Sequence, residues 1–148
     1  MIAEHAWAAL RVAESGRPDS MHELSWLRSR RVAACCAIAN PRGFLDALTC
    51  RHADVGATLT LGDHNPYSTR TLRRLRDTIR QARCEVLVTT EKDWSKLSRA
   101  ADLGVPVARP VLEMRFRRGF DGLVRDVLNA APQPEEDPAA SPVPPRAS

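Results

Sequence analysis

The stretch RVAACCAIA, residues 31–39, decides the fold of this chain. It is short and almost continuously apolar, which is typical of a strand buried on both faces of a sheet. Pro41 follows two residues later and opens a helical pattern, because proline is favoured in the first turn of a helix. A buried strand that leads directly into a helix predicts an α/β protein with a parallel sheet.

The same alternation continues along the chain. The apolar stripe Leu72, Leu75 and Ile79 predicts a helix, and Ser68 is its expected N-cap. Because strands and helices alternate, we expect the α/β class, with a mostly parallel sheet and helices on both faces. Further strands are predicted at 56–62, 84–90 and within 105–116, and further helices at 93–104 and 121–131. Pro106 and Pro110 favour an edge position for the last strand.

Three regions follow from this pattern. Residues 1–30 form an N-terminal segment that we expect to be partly helical and anchored by Trp7 and Leu10. Residues 31–131 form the α/β domain. Residues 132–148 contain six prolines and almost nothing to bury, which predicts a disordered tail.

Composition narrows the functional classes. No apolar run approaches the roughly 20 residues that span a bilayer, and charges interrupt the N-terminal stretch before a signal-peptide core develops. We therefore expect a cytoplasmic protein. The four cysteines lack C-x-x-C spacing, so buried free thiols are expected and zinc or disulfides are not. The net charge is +4, and Lys92 and Lys96 are the only lysines among 22 basic residues.

Polar clusters follow three of the predicted strands, at 39–44, 62–67 and 89–93. In open parallel sheets, ligands bind beyond the carboxyl ends of the strands. The clusters are therefore expected to lie together at one edge and to form the functional site.

The pair Asp63 and His64 has two interpretations. An imidazole can take a proton from a hydroxyl group, and a neighbouring carboxylate can orient it. Alternatively, both side chains satisfy backbone groups in the turn before Pro66.

The run Thr90, Glu91, Lys92 and Asp93 is also open to two interpretations. It could contact phosphate through the lysine, or a metal through its carboxylates. Alternatively, it is a capped helix start, with Asp93 as N-cap and the charges of Glu91 and Lys92 solvated.

The helix that follows Ser68 is rich in arginine and could face an anionic partner, although no interleaved aromatics support stacking on nucleic-acid bases. Neither G-x-x-x-x-G-K-[ST] nor G-x-G-x-x-G occurs in the chain. A nucleotide is therefore not held here by either of these loops.

Four elements in order, VAACCAIANPRGFLDAL, DHNPY, VLVTTEKDWSKL and VPVARPVLEMRF, resemble the C-terminal part of the tetraacyldisaccharide 4'-kinase (lipid A 4'-kinase) family. The resemblance implies transfer of the ATP γ-phosphate to the 4'-hydroxyl of the lipid A disaccharide 1-phosphate precursor, with Mg²⁺. It implies that His64 pairs with an aspartate of the family's N-terminal half as the base for the sugar hydroxyl, and that Asp63 helps to position either His64 or the magnesium-nucleotide. It places Asn40, Tyr67 and residues 90–93 near the substrate or nucleotide.

The resemblance also implies a P-loop half that this sequence does not contain. We therefore expect this chain alone to bind neither Mg²⁺ nor ATP and to be inactive, as a fragment or as one part of a split enzyme that meets the P-loop half in trans. The expected location is the cytoplasmic face of the inner membrane, with peripheral membrane contact and no nucleic-acid partner. Ala37 stands where the family has glycine after the first strand.

Two alternatives remain. The first is a non-catalytic α/β module that binds an anionic partner, nucleic acid or a lipid headgroup, through its arginines. The second is a metal-dependent hydrolase built around His64.

Overall fold

The structure, a computed structural model, describes residues 2–97 and 102–117, with side chains described within 5–97 and 102–114. Six strands form one sheet in the order β2-β1-β6-β5-β3-β4. In chain order they are β1 (Ile2–Ala13), β2 (Ser20–His22), β3 (Arg31–Cys36), β4 (Asp54–Thr60), β5 (Val86–Thr89) and β6 (Val107–Arg117). The helices are α1 (Pro41–Thr49), α2 (Thr69–Gln81) and α3 (Glu91–Leu97).

The predicted α/β class is confirmed. Strand β3 pairs in parallel with β4 and β5, and β5 pairs in parallel with β6, while β1 and β2 are antiparallel. The sheet is therefore mixed but mostly parallel. Parallel pairing requires crossover connections, and α1, α2 and α3 supply those that follow β3, β4 and β5.

Strand β3 explains why helices cover both faces of the sheet. Successive side chains of a strand point to opposite faces. Val32 and Cys36 belong to the core that contains Phe44 of α1. Cys35 belongs to the opposite core, which contains Leu75 of α2. The continuous apolar run that identifies this strand in the sequence therefore fills two cores at once.

Two side-chain caps begin the helices at the expected places. Asn40 accepts a hydrogen bond from the backbone N–H of Gly43 at 3.3 Å and caps α1, whose first residue is Pro41. Ser68 accepts one from the backbone N–H of Thr71 at 3.3 Å and caps α2, which confirms the prediction. Each cap lies just after a carboxyl-end loop and so fixes where that loop ends.

Trp7 and Leu10 are buried, as predicted for anchors of residues 1–30, but the part of this segment that carries them is strand β1 and not a helix. Within the described part of residues 1–30, the helical structure is a single 3-10 turn, Leu24–Leu27. An i, i+3 spacing of apolar residues fits a helix, but Leu10 and Val12 also alternate with the exposed Arg11. Pairing with β2, from Leu10 opposite His22 onward, fixes the strand.

The edge position predicted for the last strand is also wrong, because β6 lies between β1 and β5. The ring of Pro110 is tolerated within β6, because the pairing with β5 covers only Val107 and Ala108 and ends before Pro110. Pro106 also contributes, since its carbonyl accepts a hydrogen bond from the N–H of Leu87 at 3.0 Å.

The thiol prediction is mostly confirmed, since all four cysteines are free and three are buried, while Cys50 is exposed. The predicted helix at 121–131 and the predicted tail at 132–148 lie outside the described residues. Within the described part of the chain, no helix is both long enough and apolar enough to cross a membrane.

Candidate functional site

The three predicted polar clusters follow β3, β4 and β5, which run in parallel beside one another. Their loops therefore leave the same edge of the sheet, the carboxyl edge. At this edge, side chains of different loops contact one another. These contacts separate the residues that are available to a ligand from the residues that hold the loops together.

Asp63, His64 and Lys92 form an exposed cluster at this edge. One carboxylate oxygen of Asp63, Oδ1, accepts hydrogen bonds from Lys92 Nζ and from the backbone N–H of His64, each at 3.0 Å. The other oxygen, Oδ2, lies 3.6 Å from His64 Nε2. The His64 side chain is 79% exposed, so a ligand can approach its ring. Lys92 therefore holds the Asp63 carboxylate through Oδ1, while Oδ2 of the same carboxylate faces the His64 ring.

Lys92 also sets the electrostatics of Asp63. Its hydrogen bond is the largest of the effects that lower the pKa of the Asp63 carboxyl group, and the neighbouring His64 adds to them. Asp63 is therefore ionised at neutral pH. An ionised carboxylate can stabilise an imidazolium ring that has taken up a proton.

The loop that carries His64 has an unusual backbone. His64 and Tyr67 both have positive φ, 63° and 53°, a conformation that few non-glycine residues adopt. Asn65 stabilises this backbone conformation. Its side-chain oxygen accepts a hydrogen bond from the N–H of Tyr67 at 2.9 Å, and its backbone carbonyl accepts one from Lys96 Nζ at 2.9 Å. Both lysines of the chain therefore contact this loop from α3.

Tyr67 does not join the exposed cluster, because it is 4% exposed and packs in the core beneath the edge. Its hydroxyl group faces Cys35 Sγ at 3.8 Å. Burial raises the pKa of Tyr67, and burial also raises the pKa of Cys35 to about 12. Neither group is therefore ionised at neutral pH, and Tyr67 acts as a core residue.

Asp93 is fully buried and connects two loops. Its Oδ2 accepts the backbone N–H of Ala37 at 3.1 Å and the hydroxyl of Thr90 at 2.6 Å. Thr90 in turn accepts the N–H of Asp93 at 3.2 Å. The interpretation of Asp93 as N-cap is therefore wrong: Thr90 caps α3, and Asp93 fixes the turn after β3 to the start of that helix.

Glu91 points toward a buried arginine that sequence reasoning missed. Arg109 of β6 is 2% exposed, its Nε lies 3.6 Å from Glu91 Oε2, and it also pairs with Asp19. Its guanidinium group lies over the Trp94 ring, 4.7 Å from the centroid. The expectation that the charges of Glu91 and Lys92 are merely solvated is therefore wrong, since both form ion pairs.

The remaining predicted residue, Asn40, is the α1 cap described above. Within the part of the chain that the structure describes, no group of three or more histidine, cysteine, aspartate or glutamate side chains could hold a metal ion. The predicted site residues therefore divide into an exposed cluster (Asp63, His64 and Lys92) and a supporting set of caps and loop connections (Asn40, Tyr67, Thr90, Glu91 and Asp93).

Two contributors lay outside the candidates chosen from the sequence. Lys96 carries a usable signal, because it and Lys92 are the only lysines in a chain otherwise rich in arginine and they are four residues apart. That spacing places both on one face of a helix. Arg109 carries only the weaker signal of one charge within an apolar strand, and nothing local predicts its partners Asp19 and Glu91.

Comparison with known proteins matches most of this chain to one family. The model of the family described as tetraacyldisaccharide-1-P 4'-kinase matches residues 3–129. The chain belongs to this family. Curated relatives named tetraacyldisaccharide 4'-kinase include one from Geobacter sulfurreducens, 40% identical over 99 residues, and one from Maricaulis maris, 37% identical over 102 residues. A third, from Chlorobium chlorochromatii, is 34% identical over 131 residues. No solved structure matches.

The matches cover 66%, 68% and 82% of this chain but only 28%, 29% and 34% of those three relatives. The chain thus spans about a third of the length of the kinases it resembles. Membership of a kinase family is shown, and the family is one of lipid A biosynthesis.

Proposed function

We propose that this chain is the C-terminal portion of a tetraacyldisaccharide 4'-kinase and supplies the proton acceptor of the reaction. The complete enzyme transfers the γ-phosphate of ATP to the 4'-hydroxyl of the lipid A disaccharide 1-phosphate precursor. In this proposal, His64 takes the hydroxyl proton and Asp63 stabilises the resulting imidazolium ring. The observation that carries the proposal is the exposed imidazole of His64 beside an Asp63 carboxylate that Lys92 holds in place.

The proton step can be followed atom by atom within this cluster. A hydroxyl group hydrogen-bonded to an unprotonated ring nitrogen of His64 becomes a stronger nucleophile as its proton moves to that nitrogen. The positive charge that develops on the ring is then 3.6 Å from Asp63 Oδ2. Lys92 remains bound to Oδ1, so the carboxylate keeps its orientation while the ring changes charge.

ATP and Mg²⁺ do not fit the described residues of this chain. The side chains of the described residues form no metal-binding group, and Asp63 is already paired with Lys92. The sequence also has no G-x-x-x-x-G-K-[ST] loop. We therefore propose that a P-loop half, joined to this chain or supplied in trans, holds both. The lipid substrate implies that the assembled enzyme works at the cytoplasmic face of the inner membrane, with peripheral contact.

The proposal is tested by joining this chain to the portion of the Geobacter sulfurreducens relative that precedes the matched region. Transfer of radioactive phosphate from ATP to the disaccharide 1-phosphate is then measured. We expect His64→Ala to lower kcat by about 10² or more, the effect of losing a general base. His5→Ala is the control, because it removes an exposed histidine of β1 that is not part of the cluster of Asp63, His64 and Lys92. Full activity of His64→Ala, or an inactive unaltered chimera, would count against the proposal.

A further inference from the structure

A pocket lies at the amino edge of the sheet, the end opposite His64. It is formed where α2 ends and where the segment before β6 begins, and its cavity volume is about 460 Å³. Its walls include three arginines and several apolar side chains. The lining residues are Arg76, Ile79, Arg80, Arg83, Cys84, Asp102, Leu103, Gly104 and Val105.

Two of the three arginines are available to a ligand. Arg80 and Arg83 are exposed, and neither guanidinium group forms a hydrogen bond or an ion pair with any residue that the structure describes. Arg76 is held in place, since its Nε donates a hydrogen bond to the backbone carbonyl of Asp102 at 3.2 Å. Two free guanidinium groups at the mouth of one cavity suit a phosphate group, which each can bind through two N–H donors.

These arginines are not needed to complete the helix end. The carbonyls of the last turn of α2 already accept backbone N–H groups: Ile79 from Cys84 at 3.0 Å and Arg80 from Arg83 at 3.1 Å. The acid in the pocket is also engaged, because one oxygen of Asp102 accepts the N–H of Gly104 at 2.9 Å. With three arginines and one aspartate, the described lining of the pocket carries an excess of basic side chains.

The floor of the pocket is apolar. Ile79, Cys84 and Leu103 are buried there, and burial raises the pKa of the Cys84 thiol, so this floor is uncharged at neutral pH. A phosphate group fills only a small part of a cavity of about 460 Å³. The remaining volume suits the carbon portion of a ligand, since apolar surface gains by leaving water.

We propose that this basic pocket binds an organic phosphate, with the phosphate group on Arg80 and Arg83 and the carbon portion on the apolar floor. Arg80 lies 11 residues after Thr69, the first residue of α2, which places it about 17 Å along the helix from the end that follows the His64 loop. The proposal therefore does not depend on the kinase function, and a ligand bound here does not touch Asp63 or His64.

The chain itself can be tested with three probes. Chemical shifts of backbone amides would be followed during titration with glycerol 3-phosphate and with inorganic phosphate. Co-sedimentation would be measured with vesicles of phosphatidylcholine and phosphatidylglycerol in equal parts. Binding of glycerol 3-phosphate that shifts residues 79–84 and 102–105 identifies a soluble ligand. Binding to the vesicles alone identifies a lipid headgroup.

Paired variants separate this site from general basicity. Arg80→Gln with Arg83→Gln removes the free guanidinium groups, and we expect binding to weaken by more than about tenfold. Arg73→Gln with Arg74→Gln removes the same charge from exposed positions on the same helix that do not line the pocket, and should leave affinity nearly unchanged. Equal losses in both double variants, tighter binding of inorganic phosphate than of glycerol 3-phosphate, or no binding of any probe would overturn the proposal.

Discussion

Two sets of side chains occupy the carboxyl edge, and they differ in depth and in task. Asp63, His64 and Lys92 are exposed and meet around one carboxylate. Asp93 is fully buried beneath them, and its carboxylate accepts a backbone N–H group and the hydroxyl of Thr90. One carboxylate is open to chemistry, and the other holds two loops together.

The comparison shows that adjacent residues of one motif can have different tasks. Glu91, Lys92 and Asp93 follow one another on the first turn of α3, yet they contact Arg109 of β6, Asp63 after β4 and Ala37 after β3. Residues that follow one another on a helix point about 100° apart, so three neighbours can reach three different elements. The motif therefore connects the loops of the site, and only Lys92 of the three contacts the proposed catalytic pair.

The largest effect is expected from the buried carboxylate. Asp93→Ala leaves the N–H of Ala37 buried without a partner and removes two hydrogen bonds to one side-chain oxygen, so we expect a loss of roughly 2–4 kcal/mol in unfolding free energy. Urea unfolding followed by circular dichroism measures this loss. The matched control is Asp46→Ala, an exposed aspartate of α1 whose contact with Arg42 is 4.0 Å. Equal losses in the two variants would contradict the distinction between buried and exposed carboxylates.

The fold was largely predictable because its central strands carry local signals. The apolar run at 31–39 and the stripe of α2 each specify one element without reference to the rest of the chain. The N-terminal strand was not predictable in this way, because the spacing of Trp7 and Leu10 fits a helix equally well. Only the neighbouring strands decide between the two, and those lie far away in sequence.

For the site, residue types and strand ends predicted which loops meet, but not the depth of each side chain. Asp63 and Asp93 look alike in sequence, since each precedes or begins a helix and each has a polar neighbour. Asp93 is buried because it satisfies the N–H of Ala37, 56 residues earlier in the chain. Arg109 was missed for a similar reason, since its partner Asp19 is 90 residues away.

A smaller effect is expected from the cap of α1. Asn40→Ala removes the acceptor for the N–H of Gly43, which should cost about 1 kcal/mol in unfolding free energy. Asn40→Asp retains the acceptor and should be nearly neutral by the same urea measurement. If Asn40→Asp lost as much stability as Asn40→Ala, the cap would not be the reason for asparagine at this position.

The smallest effect on stability, and the most specific test of the exposed cluster, is expected from Lys92→Met. Because the hydrogen bond from Lys92 is the main reason that the pKa of Asp63 lies below its usual value, this change should raise the pKa of Asp63 toward that value. A carboxyl group with a lowered pKa in the folded state adds stability above its unfolded-state pKa, and loses it as the pH falls through the folded-state pKa. Lys92→Met should therefore be slightly less stable than the unaltered chain at neutral pH. This small difference in stability should disappear in acid, where Asp63 is protonated.

Carbon NMR of the Asp63 carboxyl group during a pH titration measures this shift directly. Lys96→Met is the matched control, because Lys96 lies one turn further along α3 and binds the carbonyl of Asn65 instead of the carboxylate. We expect Lys96→Met to leave the pKa of Asp63 almost unchanged, and Lys92→Arg to keep it low. Equal shifts in the two methionine variants would mean that general positive charge, and not the 3.0 Å contact from Lys92, keeps Asp63 ionised beside His64.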